Sequence, residues 1–228
     1  DNMKVRFNVV KLLVAAGALT VAAGASAQSA GQWTVGVGVN QITPKVESGA
    51  ISAPALPNSL GDVSKDTQPV VTINYGLTDN ISVETMVGTP YKNKLYGAGA
   101  IAGTGELGTV ESLPAIVLAQ YRFFQPNAVI RPFVGVGVTY AAFQKETGSF
   151  KMTALTNPGA GVPTTFSIDN KWTYSGQIGA DWNINERWVA SVGFIKTRLR
   201  TDVHFSTGQY QHMKLDPVSS MLSVAYKF

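Results

Sequence analysis

Eight stretches of this chain alternate, residue by residue, between apolar side chains and small or polar ones, and that repeat restricts the fold more than any other feature. The last stretch has Val218, Ser220, Leu222, Val224, Tyr226 and the final Phe228 on one parity, with Ser219, Met221, Ser223, Ala225 and Lys227 on the other. Successive side chains of an extended strand point to opposite faces, so one face is mostly apolar with an aromatic end and the other is mostly small or polar. The first stretch, residues 32–42, sets Trp33, Val35, Val37 and Val39 against Thr34, Gly36, Gly38 and Asn40. Between them the pattern occupies 69–77, 81–88, 113–123, 129–140, 172–182 and 188–197.

The connections run long, short, long, short, long, short, long. Thr78-Asp79-Asn80, Gln125-Pro126-Asn127 and residues 183–187 are short turns, whereas 43–66 reads as a long exposed loop, and 90–112, 142–170 and the segment around 206–212 as further long connections. An even number of antiparallel strands with short turns at one end and long loops at the other is the pattern of an outer-membrane barrel, whose chain starts and ends on the periplasmic side. The expected fold is therefore all-β: an eight-stranded antiparallel transmembrane β-barrel with short periplasmic turns and long extracellular loops. Aromatics near the strand ends, at Trp33, Tyr75, Tyr121, Phe123, Trp172, Trp182 and Trp188, suit interfacial girdles. No segment after Ala27 has the long apolar run of a membrane helix, which leaves a closed barrel as the membrane solution. Charged residues make up only 14% of the chain, below the roughly one quarter usual in soluble domains. A soluble lipid-carrier barrel would place Lys and Glu on its outward parity. Here the polar parity is Gly, Ser, Thr, Asn and Gln, which suits a crowded interior.

Residues 1–27 read as a secretory signal, with Asp1 and Asn2 as two extra leading residues. Lys4, Arg6 and Lys11 form its basic region, 12–23 its apolar run, and Ala25-Ser26-Ala27 its cleavage site. Residues 28–228 then form one barrel domain, exported by the general secretion route to the outer membrane of a Gram-negative bacterium. The chain has no cysteine, which excludes a disulfide framework, a thiolate metal site and a cysteine nucleophile. Setting the signal aside halves the formal net charge of +4, and the remaining bases are scattered, so no stripe tracks a nucleic acid.

Strand direction assigns depth to the inward residues. Asn74, Glu84, Gln120, Arg122, Asp181 and Lys227 fall near the periplasmic end, where acids and bases pair into a polar floor. Higher up, the inward set is Val70, Met86, Ile116, Leu118, Phe133, Ile195 and Leu199, with Met221 near mid-depth. An interior that is apolar above and ionically plugged below is not a water-filled porin. The same residues also read as simple packing, because an eight-stranded barrel has room for little beyond its own side chains. His204 and His212 flank the last outer loop with Ser206 and Asp216 nearby, a composition from which a hydrolase triad would need one shared pocket. As a metal pair the two histidines lack a third ligand. The Gly-rich run 97–108 has no following Lys-Ser or helix pattern and is not a phosphate loop. No catalytic residue, metal site or cofactor is assigned.

Four ordered segments carry a resemblance. They are the hairpin from Asn80-Ile81-Ser82-Val83-Glu84 to Gly88-Thr89-Pro90-Tyr91-Lys92, then Leu113-Pro114 followed by Gln120-Tyr121-Arg122-Phe123, then Arg131-Pro132-Phe133-Val134-Gly135-Val136-Gly137, and Leu215-Asp216-Pro217-Val218 before Tyr226-Lys227-Phe228. In this order they resemble the OmpW family, which includes the alkane-uptake protein AlkL. The resemblance implies a non-enzymatic barrel whose apolar channel opens outward, is blocked toward the periplasm, and releases small hydrophobic molecules sideways into the membrane. Because proline leaves a ladder position without a donor, Pro90, Pro114, Pro132 and Pro217 are candidates for wall weakness there, or plain strand-end punctuation. The terminal Phe228 with Tyr226 two places before it resembles the signal by which outer-membrane barrels are handed to their assembly machinery. Expected partners are that machinery, outer-membrane lipid and lipopolysaccharide, and small hydrophobic solutes. The alternative function is a structural or surface-interaction barrel without transport, and the long Ala/Pro-rich first loop and Gly-rich second loop depart from family habit.

Overall fold

A computed structural model of the chain describes residues 30–159 and 161–228. The expected secretion signal, residues 1–27, lies outside them. Eight strands close into an antiparallel barrel: β1 (Trp33–Thr43), β4 (Asp66–Gly76), β5 (Ile81–Gly88), β7 (Glu106–Arg122), β8 (Ile130–Gly148), β10 (Lys171–Asn183), β11 (Trp188–Thr197) and β14 (Val218–Lys227). Each pairs with the next, and β14 returns to β1 over Thr34↔Lys227 to Thr43↔Val218. The last residue is stitched to the first strand as well, since Phe228 N donates to Trp33 O at 2.9 Å.

The four long connections at the outer end carry secondary structure of their own, including 43–66, which the sequence reads as an exposed loop. Residues 43–66 contain β2 (Glu47–Ser48) and β3 (Ser59–Val63), and 90–112 contain β6 (Tyr91–Gly99), which pairs with the outer half of β7. The segment after β8 forms the short helix α1 (Phe150–Thr156), N-capped by the Ser149 hydroxyl, and then β9 (Phe166–Ile168). A hairpin of β12 (Arg200–Phe205) and β13 (Tyr210–Lys214) completes a separate four-stranded sheet, β2-β13-β12-β9. The cause is strand length. At about 3.3 Å per residue, the 17 residues of β7 and 19 of β8 far exceed the 9–11 that span a bilayer when tilted. Their outer halves, which hold Glu106, Thr109, Glu111, Lys145, Glu146 and Thr147, do not continue the regular alternation of the inner halves, yet their backbone groups pair all the same. Together these pieces bury a cluster that includes Ile51, Ile101, Leu107, Met152, Phe166 and Phe205 as a cover over the outer end.

Period-two alternation sorts the barrel's two faces. Val37, Val136, Ile178 and Leu222 point outward and are 61–70% exposed, a surface made for hydrocarbon. Ring pairs Trp33–Tyr75, Tyr121–Phe123 and Trp188–Tyr226, with centroids 4.7 to 5.1 Å apart, belt the short-turn end, and Tyr140–Trp172 stands at the other. Inside, glycine makes room for large neighbours. A Cβ at Gly137 would strike the Val117 carbonyl, and one at Gly179 would land on the Phe133 ring. Gly176, on the outer face of the same strand, faces open space. Gly179→Val is therefore expected to cost about 1–3 kcal/mol by overpacking, lowering the urea midpoint of the lipid-embedded barrel, while Gly176→Val stays within about 0.5 kcal/mol of the parent.

Candidate functional site: an apolar chamber over a polar floor

The periplasmic end of the interior is one hydrogen-bonded network. Arg122 Nε sits 2.8 Å from Asp181 Oδ2, with both side chains at most 5% exposed. The other side of the guanidinium meets Gln120 Oε1 at 2.8 Å and the Ser82 hydroxyl. Gln120 also accepts from Asn74 at 2.7 Å and donates to Gln177 at 2.7 Å, and Gln177 donates to Glu84 at 3.1 Å. Asp181 takes a further hydrogen bond from Ser191 at 2.6 Å. These residues stand on β4, β5, β7, β10 and β11, so the network ties most of the wall together across the lumen. Lys227 is held apart from the acids by Asn183 Oδ1 at 2.6 Å. The fully buried Arg131, below the network, donates to the Asp79 carbonyl at 2.6 Å.

Above this floor lies an apolar seal. Leu118, Phe133 and Met221 are all at most 3% exposed, and the Arg122 guanidinium rests over the Phe133 ring at 5.3 Å. The next layer is Ile116, Ile195 and Met86, packed with Leu118. Outward of these a cavity of about 110 Å³ opens, reaching Val110, Phe143, Val203 and Leu215 of the cover. That is close to the ~150 Å³ of dry apolar cavities that take up a benzene-sized solute. A second cavity of about 40 Å³ lies within the cover and shares Leu95, Val203 and Met213 with the first.

The wall is interrupted beside the chamber. β5 pairs with β7 up to Met86↔Ile116, and pairing on that side of β7 resumes only at Tyr91↔Ser112 of β6. Residues 87–90 and 113–115 thus face each other without a ladder. Thr89 and Pro90 step the chain from β5 to β6, and Pro114 has no N–H to give. Gly88, Thr89, Leu113 and Pro114 all border the cavity.

Comparison with known proteins places this architecture. The sequence profile of the OmpW family matches residues 29–228. The chain belongs to the OmpW family. It is 34% identical over 224 residues to outer membrane protein W of Salmonella typhimurium, covering 96% of this chain and 99% of that protein. It is 26% identical over 203 residues to outer membrane protein AlkL of Ectopseudomonas oleovorans, covering 87% and 83% of the two. The crystal structure of OprG from Pseudomonas aeruginosa superposes with a TM-score of 0.78 at 23% identity, over 88% of this chain and 97% of that one, so the fold is shared. The protein is an outer-membrane β-barrel of the OmpW and AlkL type.

In this OmpW-family barrel, Val70, Met86, Ile116, Ile195 and Leu199 border the cavity, whereas Leu118, Phe133 and Met221 form the seal below it. Of the four prolines, Pro90 and Pro114 lie at the ladder break. Pro132 sits inside continuous pairing, opposite Ala180, and Pro217 precedes β14 and accepts a hydrogen bond from Thr197 N at 3.1 Å. Ser82, Gln177, Ser191 and Arg131 join the floor without having been singled out by sequence, although the inward parity contains them all. Asn40, on the inward parity of β1, and Tyr91, at the start of β6, also border the chamber. The outer histidines do not converge on Ser206. His212 Nδ1 lies 2.7 Å from Asp202, a hydrogen bond that holds the Asp202 carboxyl below its ordinary value, and His204 lies 3.6 Å from Asp169. Ser206 Oγ accepts from Thr165 N at 3.0 Å, and Asp216 Oδ1 is buried without a hydrogen bond.

Removing one member of the buried ion pair leaves a charge without its partner. Asp181→Leu is expected to destabilise the barrel by about 3–5 kcal/mol, read by urea unfolding in lipid. Joining it with Arg122→Met should recover most of that loss.

Proposed function

We propose that the barrel carries small hydrophobic molecules passively across the outer membrane, receiving them from the outer side into the chamber and releasing them sideways into lipid. One conjunction carries this: the apolar cavity and the ladder break share Gly88, Thr89, Leu113 and Pro114. An apolar solute gains about 25 cal/mol per Å² of surface on leaving water, and chamber and hydrocarbon are both apolar, so the sideways step needs no energy source. A straight path would have to dismantle the floor of Asn74, Glu84, Gln120, Arg122 and Asp181, with Lys227 beside it. Val70, Met86, Ile116, Ile195 and Leu199 are the contact surface for the solute, and Leu118, Phe133 and Met221 its base. Pro90 and Pro114 are assigned to the exit, while Pro132 and Pro217 are assigned no part in it.

The lipid-facing wall makes outer-membrane lipid and lipopolysaccharide the barrel's surroundings. The terminal Tyr226 and Phe228, stacked edge to face at 4.9 Å, are assigned as the assembly machinery's recognition element.

The test measures uptake of a radiolabelled small hydrophobe and a small polar solute by cells with and without the barrel. It includes a variant carrying Val87→Cys and Ala115→Cys, one step past the last paired residues of β5 and β7. The expected result is acceleration of the hydrophobe alone, abolished by disulfide closure and restored by reduction. Equal acceleration of both solutes would mean a water-filled pore. Acceleration of neither would favour a structural or surface-binding barrel, in which deletions in the outer cover would matter instead.

A further inference from the structure

We propose that Asn40 and Tyr91 form a polar clamp in the chamber, selecting small amphiphiles that carry one hydroxyl, such as an aliphatic alcohol, over the bare hydrocarbon of equal length. This rests on the uptake route above and specifies its substrate class. Asn40 Nδ2 donates to Tyr91 Oη at 2.7 Å, both residues border the cavity, and they are 2% and 4% exposed. Asn40 Oδ1 is buried and accepts no hydrogen bond. Tyr91 Oη, being the acceptor of the shared bond, keeps its own proton to give. Reversing the Asn40 amide changes nothing essential: Tyr91 then donates to Oδ1, and the freed Nδ2 protons and Tyr91 lone pair still offer the chamber one donor and one acceptor.

Most other polar side chains around the cavity have partners, the half-buried Ser219 hydroxyl on β14 being an exception. Asn93 uses both ends of its amide, donating to Ser64 O at 2.8 Å and accepting from Ser112 Oγ at 3.0 Å. Thr139 and Thr197 are bridged by Ser175, with both hydroxyl contacts at 2.7 Å. Thr34 Oγ1 and Asp216 Oδ1 are also buried without partners, but neither borders the cavity. Asn40 Oδ1 is thus the buried side-chain atom of the lining that lacks a partner among the described residues, and it stands beside the Tyr91 hydroxyl. A solute hydroxyl would donate to Asn40 Oδ1 and accept from the Tyr91 hydroxyl, while its chain rests on Met86, Ile116 and Ile195. Tyr91 directly follows Pro90, so the clamp stands beside the wall break, and the polar end of the solute is bound last before release.

The experiment supplies radiolabelled octane and 1-octanol together to cells making the parent barrel, Asn40→Leu or Tyr91→Phe, with assembly of each checked by its heat-modifiable band. Both replacements nearly keep side-chain volume. The parent should raise the octanol-to-octane uptake ratio above that of barrel-free cells, and each variant should reduce the ratio on the order of fivefold, the worth of one net hydrogen bond. Accelerated octane with no octanol preference, or a preference that survives both replacements, overturns the clamp and leaves the uptake route standing. Acceleration of neither solute by the parent overturns both.

Discussion

Inside a bilayer an unpaired backbone N–H or C=O costs several kcal/mol, because no water is present to replace the lost partner. The closed ladder from β1 round to β14 meets that constraint, and almost every other property of this barrel is arranged around it. The apolar outer parity, the aromatic belts at 4.7 to 5.1 Å and the bond from Phe228 N to Trp33 O all serve a wall with no open edge. The interruption between residues 87–90 and 113–115 stands out for the same reason. A break in such a wall is tolerated where the backbone lines a cavity or is capped by other groups. Here the cavity lies directly behind it, and Asp66, Gln68 and Thr89 supply side-chain bonds around it, including Asp66 accepting from Lys92 N at 2.7 Å.

The interior divides by the same accounting of polar groups. Charges removed from both water and lipid persist only when paired and hydrogen-bonded, so Arg122 and Asp181 bring Ser82, Gln120, Gln177 and Ser191 into one network. The large apolar seal of Leu118, Phe133 and Met221 fits above it because Gly137 and Gly179 yield the space their side chains would take. Above the layer of Ile116, Ile195 and Met86 nothing equivalent fills the bore, and the cover of α1 and the outer sheets closes over a chamber there. Asn40, buried there with an unused oxygen, lacks the full pairing that Arg122 and Asp181 find in the floor.

Legibility in the sequence varied with how local its cause was. The alternation of Val218 to Phe228, and of its seven counterparts, reports directly on a two-sided strand between lipid and a crowded interior. The turn lengths gave direction and depth, placing Asn74, Gln120 and Arg122 at one end and Val70 and Met86 at the other. The outer halves of β7 and β8 left no such trace, since they are stabilised by main-chain pairing with β6 and with each other, to which side-chain pattern is indifferent. Arg131 and Gln177 lay on the correct parity, but a polar residue on an inward parity does not name its partner. Tyr91 was hidden for a different reason: it lies beyond the step at Pro90, in a segment whose composition reads as a loop.

By itself the sequence determined an eight-stranded membrane barrel, which residues face lipid, and the family, because period-two patterning, turn length and motif order are all properties of neighbouring residues. Only the tertiary structure decided that the outer connections fold into a cover, that the ladder breaks between β5 and β7, and that Asn40 meets Tyr91 across 51 positions of chain. Those outcomes depend on register between strands remote in sequence and on how much volume their side chains leave unfilled, which no single strand encodes.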